Sequence, residues 1–139
     1  LDDPANSAWR EDIRATSAID IFASTHTCLA ALRDFDLPAG RLTVINNGAA
    51  GMANFAGTTY GLVSRIATVP CPHPTLYGLA RHDVFIDALA VEFGLDEFLA
   101  RFSERWPNGS AAHTSYFERI VRGPNHTPDQ ATDRARLTA

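Results

Sequence analysis

The chain reads as a layered α/β domain, a β-sheet with flanking helices packed against it, and three observations predict this. Apolar residues recur at helical spacing near both ends, short apolar runs of strand length fill the middle, and a turn-bounded pair of runs at 76–93 reads as a hairpin. A length of 139 residues, 45% of them hydrophobic, fits one core that buries about two-thirds of the unfolded surface. Residues 1–124 are expected to form that single domain. From Asn125 onward no apolar pattern repeats, and 125–139 is expected to be a disordered tail.

Trp9 and Ile13 stand four apart among Arg10, Glu11, Asp12 and Arg14, with Asn6 or Ser7 to cap, so 7–17 is a short amphipathic helix. Ile19 to Ser24 is a short apolar run, too short for a helix and bounded by polar residues, and reads as a buried strand. Leu29 and Leu32 predict a brief helix over 28–35. Leu42 to Ile45 is a second strand, residues 46–57 a Gly/Ala/Asn loop and Tyr60 to Thr68 a third strand, expected to neighbour one another in sequence order. Pro70, Pro72 and Pro74 make a rigid crossing loop. Leu76–Ala80 and Val84–Phe93 flank Arg81-His82-Asp83, and the long arm, apolar on both faces, is expected to be buried on both. Leu95, Phe98, Leu99, Phe102 and Trp106 form one helical stripe that Pro107 ends; Ser110 caps another helix, which Gly123-Pro124 stops.

Composition excludes several functions. A formal net charge of −4 gives no footprint for a nucleic-acid backbone or an anionic membrane. Every basic residue is arginine, so no P-loop lysine, Schiff-base lysine or Ser-Lys dyad exists. Residues 42–64 are uncharged, but Asn46, Asn47, Asn54 and four intervening glycines argue against a membrane span. Gly-x-Ser-x-Gly and His-Glu-x-x-His motifs are absent, and no signal-peptide pattern opens the chain. Cys28 and Cys71 are too few for a disulfide scaffold and fit a reducing cytoplasm.

Chemistry concentrates at Ser24-Thr25-His26-Thr27-Cys28, at the carboxyl end of a buried strand where α/β sheets place ligands. Asn46 and Asn47 end the next strand and could meet a phosphate, with Gly48 to Gly51 offering backbone N–H groups as an anion nest. Arg65 could bind phosphate or face the surface. His113 reads as packing on its helix, and His82 as a hairpin turn.

The 24–28 string resembles the last metal motif, Gly-His-x-His, of the calcineurin-like metallophosphoesterases. Val44-Ile45-Asn46-Asn47-Gly48-Ala49-Ala50-Gly51-Met52 is similar to the loop that follows that motif in smaller bacterial members. Tyr60–Thr68 and the Leu76-Tyr77-Gly78 to Val91 hairpin extend the resemblance over roughly 17–93. Ser24-Thr25 stand where glycine is usual, and Cys28 replaces the second histidine. The family's Asp-x-His, Gly-Asp-x-x-Asp and Gly-Asn-His motifs do not occur. The resemblance therefore implies the C-terminal part of a longer, metallophosphoesterase-like α/β sandwich. It further implies two-metal hydrolysis of a phosphorylated small molecule or phosphodiester, with two divalent ions (Mn, Fe or Zn) and a chain incomplete by itself. His26 would be a direct ligand, Cys28 a ligand or its neighbour, and Asn46 and Asn47 would line the site. Two rivals stand beside this: a zinc site built from His26, Cys28, Cys71 and His73, and a non-catalytic α/β interaction domain in which His26 is structural.

Overall fold

The computed structural model describes residues 3–25 and 27–132. A short 3-10 turn, Pro4–Asn6, leads into α1 (Ser7–Ser17). Six strands follow: β1 (Ile21–Ser24), β2 (Ala31–Leu37), β3 (Gly40–Asn46), β4 (Gly61–Ala67), β5 (Tyr77–Arg81) and β6 (Val84–Val91). Helices α2 (Leu95–Arg105), α3 (Ala111–Arg122) and α4 (Pro128–Ala131) complete the chain. No helix among the described residues is long and apolar enough to cross a membrane.

The strands form two three-stranded sheets, β1-β3-β2 and β4-β6-β5, within a mixed α/β architecture. In the first, β1 runs parallel to β3 and β2 antiparallel to it; the second is antiparallel throughout. One apolar core joins them, built from Leu32 and Ile45 of the first sheet, Leu62, Tyr77, Ile86 and Ala88 of the second, and Phe55 between. Helix α1 lies on the other face of the first sheet, where Arg10 stacks its guanidinium over the Phe35 ring, 4.6 Å from the centroid.

Three expectations are corrected here. Residues 28–35 do not form a helix; Ala31–Leu37 is a strand. Its alternation is hidden because a carboxylate occupies a core-facing position: Asp34 is buried, accepts from Thr43 Oγ1 at 2.9 Å and pairs with Arg41. The third expected strand does not neighbour the first two, because the segment after β3 carries it into the other sheet, beside β6. Beyond Asn125 the described residues pack without periodicity: Ala131 is fully buried, Thr132 bridges to Leu32, and Thr127 and Gln130 form a capping box. Residues 133–139 lie outside the described residues.

Helix α1, the hairpin and α3 stand where the patterns put them, and the Ser110 side chain accepts from His113 N–H as a cap. His82, at φ +50°, sits in the two-residue turn between β5 and β6. The double burial expected of β6 holds at Ile86–Ala88, where Asp87 is also buried and takes Arg65 at 2.9 Å.

Tyr77 places a buried hydroxyl in this core without a hydrogen-bond partner among the described residues. Burial, reinforced by Tyr60 and opposed by Arg33, pushes its phenol up to about 12. The unfolded phenol ionises near 10, so the unfolded state releases a proton that the folded state keeps as pH rises from 10 to 12. Stability should fall by about 3 kcal/mol across that window. Urea denaturation should show this alkaline loss in the wild type and its reduction in Tyr77→Phe. The variant should equal or exceed wild-type stability at neutral pH, by about 1 kcal/mol at most; a strongly destabilised Tyr77→Phe would contradict the assignment.

Candidate functional site

Because β1 and β3 are parallel, they end on the same side of the sheet, with Ser24 and Asn46 in register. The segments leaving those ends, 25–28 and 46–48, make up the candidate site. Asn46 spans them: its Nδ2 donates to Ser24 Oγ at 3.0 Å and to Thr27 Oγ1 at 2.9 Å, while its Oδ1 accepts from Gly48 N–H at 2.7 Å. Thr25 Oγ1 donates to the Gly48 carbonyl at 3.0 Å, and Asn47 N–H to the Ser24 carbonyl at 3.2 Å. The neighbours of His26 on either side are thus both tied to the end of β3. His26 itself lies outside the described residues.

Cys28 N–H donates to the Thr25 carbonyl at 3.2 Å, and Cys28 takes φ +52°, a left-handed conformation unusual for a residue with a β-carbon. The Cys28 thiol is free and half-buried. Arg119 of α3 donates to the Cys28 carbonyl, so a guanidinium charge stands on the backbone of this turn. Beside the strand end opens a groove of about 500 Å³, whose walls include Trp9, Phe22, Leu29 and Val44 and whose polar margin includes Ser24, Thr27 and Asn46.

Two of the N–H groups of the expected anion nest are taken up within the protein. Gly48 N–H is held by Asn46, and Ala49 N–H donates to Asn54 Oδ1 at 2.7 Å. Asn47 reaches the second sheet, donating from Nδ2 to the Leu62 carbonyl at 2.9 Å. The amide nitrogens of Asn46 and Asn47 are both engaged within the protein. Arg65 is engaged by Asp87 and by the Val69 carbonyl at 2.9 Å, which favours its structural reading. His113 stacks on Phe117, centroids 4.6 Å apart. Among the described residues no three His, Cys, Asp or Glu side chains gather, so Cys28, Cys71 and His73 do not form the rival zinc site. The two displaced tyrosine pKa values, Tyr77 and a Tyr60 raised by burial, belong to the core rather than to the strand end.

Asn54, Arg119 and His126 hold this region and carry no local sequence signal, because each acts on backbone through a single side chain. No protein-family model, curated protein or solved structure matches the chain.

Replacing Asn46 by Ala leaves Gly48 N–H and the Ser24 and Thr27 hydroxyls without this partner. The expected cost is about 2 kcal/mol in urea denaturation. Amide exchange should accelerate at Thr27 and Cys28 while β4 and β6 keep their protection. Unchanged exchange at 27–28 would contradict the bridging role.

Proposed function

We propose that the chain is the C-terminal portion of a metal-dependent phosphoester hydrolase of the calcineurin-like superfamily, with His26 as a metal ligand and Cys28 as a second donor. The observation that carries this reading is the Asn46 bridge. It ties Ser24 and Thr27, on either side of the Thr25-His26 pair, to the carboxyl end of a parallel strand pair, while Thr25 is held separately by the Gly48 carbonyl, which is how a sheet holds a ligand loop steady. The two-sheet core and the 77–91 hairpin are compatible with the implied sandwich.

One imidazole and one thiolate suit a borderline ion such as zinc or iron. They fit a partial donor set, and the remaining ligands of a dinuclear centre would come from outside these 139 residues. Two divalent ions bound there would supply Lewis-acid polarisation and charge neutralisation at a phosphoryl group. Asn46 sets the separation of the two strand ends, Thr25 ties the loop to Gly48, and the turn at Cys28 orients the thiol. The substrate class is a phosphorylated small molecule or a phosphodiester, and two free cysteines support a reducing, cytoplasmic setting. The rival, a non-catalytic interaction domain with a structural histidine, draws on one observation: the Asn46 and Asn47 amides are engaged within the protein.

Zinc titration separates the two. The wild-type chain should bind zinc, and His26→Ala and Cys28→Ser should each weaken binding by about tenfold or more. Cys28→His should restore it. With added Mn²⁺ the chain alone should hydrolyse a generic phosphodiester no faster than buffer. Equal zinc affinity in wild type, His26→Ala and Cys28→Ser would overturn the proposal.

A further inference from the structure

The turn at Cys28 is held from far along the chain. Arg119, in the last turn of α3, donates from Nη2 to the Cys28 carbonyl. Two residues beyond Cys28, the Ala30 carbonyl lies 2.8 Å from the ring Nε2 of His126, which stacks on Phe55, centroids 5.8 Å apart. Arg33 answers from the strand side, donating to the Gln130 and Ala131 carbonyls at 2.8 Å each. The end of α3 cannot drift: Ile120 is buried, Gly57 N–H donates to the Arg122 carbonyl at 2.9 Å, and a β-carbon on Gly123 would lie 2.1 Å from the Phe55 carbonyl oxygen. Arg119 is thus a strut with a fixed base. Its far end bears on a residue whose left-handed φ has little intrinsic preference and relaxes unless its surroundings hold it.

We infer that Arg119 is a positioning residue for Cys28, locking the left-handed turn that orients the thiol at the strand end. Its functional meaning rests on the reading of Cys28 as a metal donor. The positioning rests on the contact between α3 and the turn. A guanidinium on a carbonyl is a charge-assisted bond, stronger than the neutral turn contact from Cys28 N–H to Thr25. Removing it frees the turn locally and leaves both sheets intact, because Arg119 contributes to neither ladder.

Alkylation by iodoacetamide, read by peptide mass spectrometry, gives the test, with Cys71 as the internal reference on the Pro-rich loop. Arg119→Met, which keeps the stem, should raise the Cys28-to-Cys71 rate ratio about tenfold. Arg119→Lys, which keeps the charge but not the fork, should give an intermediate ratio and carries the test if the Met variant fails to fold. Zinc should protect Cys28 in the wild type and protect it less in both variants. An unchanged ratio in a folded variant overturns the positioning role, as does an equal rise at both cysteines, which would report general loosening. A ratio that moves with Arg119 while zinc protects Cys28 in no variant upholds the positioning and overturns the metal reading instead.

Discussion

Between β3 and β4 the chain passes from one sheet to the other through the interior, and this crossing organises the molecule. Ala53, Asn54 and Phe55 are fully buried in irregular backbone. Such a segment persists only where its amides and carbonyls find partners other than water. Asn54 provides three, accepting from Ala49 N–H and donating to the Ala49 and Met52 carbonyls at 2.6 and 3.0 Å. Ala56 N–H and Gly57 N–H donate to the His126 and Arg122 carbonyls at 2.8 and 2.9 Å. Close backbone approach dictates two glycines: a β-carbon on Gly48, at φ +69°, would lie 2.0 Å from Asn54 Oδ1, and one on Gly61 1.7 Å from the Ala50 carbonyl oxygen.

Both ends of the first sheet are tied down, the crossing serving only one of them. At the carboxyl ends of β1 and β3, Asn46 and Asn47 join the strand ends to the start of the crossing and to β4. At the opposite end the staples are arginines. Arg81 of β5 donates to the Asp20 carbonyl at 3.0 Å, Thr43 Oγ1 at 3.2 Å and the Arg41 carbonyl at 2.8 Å, binding the second sheet to the first. Arg14 pairs with Asp20 at 2.7 Å and donates to the same Arg41 carbonyl at 3.0 Å, bringing α1 into the network. A planar fork can serve several acceptors at once, a role that lysine, absent from this chain, fills poorly.

Elements whose stability comes from an uninterrupted apolar pattern were legible in sequence: α1, the β5–β6 hairpin and the Ser110-capped α3. Strand β2 was not, because Asp34 sits on its core face and a buried carboxylate looks like a surface position in a string of letters. Nor was the sheet switch, which depends on Asn54 meeting backbone around it rather than on any period. The 125–132 segment was opaque for the same reason, since it docks through His126, Gln130 and the Leu32–Thr132 bridge. At the candidate site the motif string located the strand end, while the structural bonds of Asn46 to Ser24, Thr27 and Gly48 and of Asn47 to Leu62 depend on segments brought together by the fold and left no mark in the string.

The proposal's central claim is that the segment after β1, tied to the start of the crossing through Asn46 and Thr25, would present two metal donors of different chemistry, His26 and Cys28. X-ray absorption at the zinc edge of the zinc-loaded chain tests it directly. The account predicts one sulfur scatterer at about 2.3 Å together with an imidazole nitrogen at about 2.0 Å, and loss of the sulfur shell in Cys28→Ser. A first shell of light atoms alone in the wild-type chain, unchanged by that substitution, would contradict it.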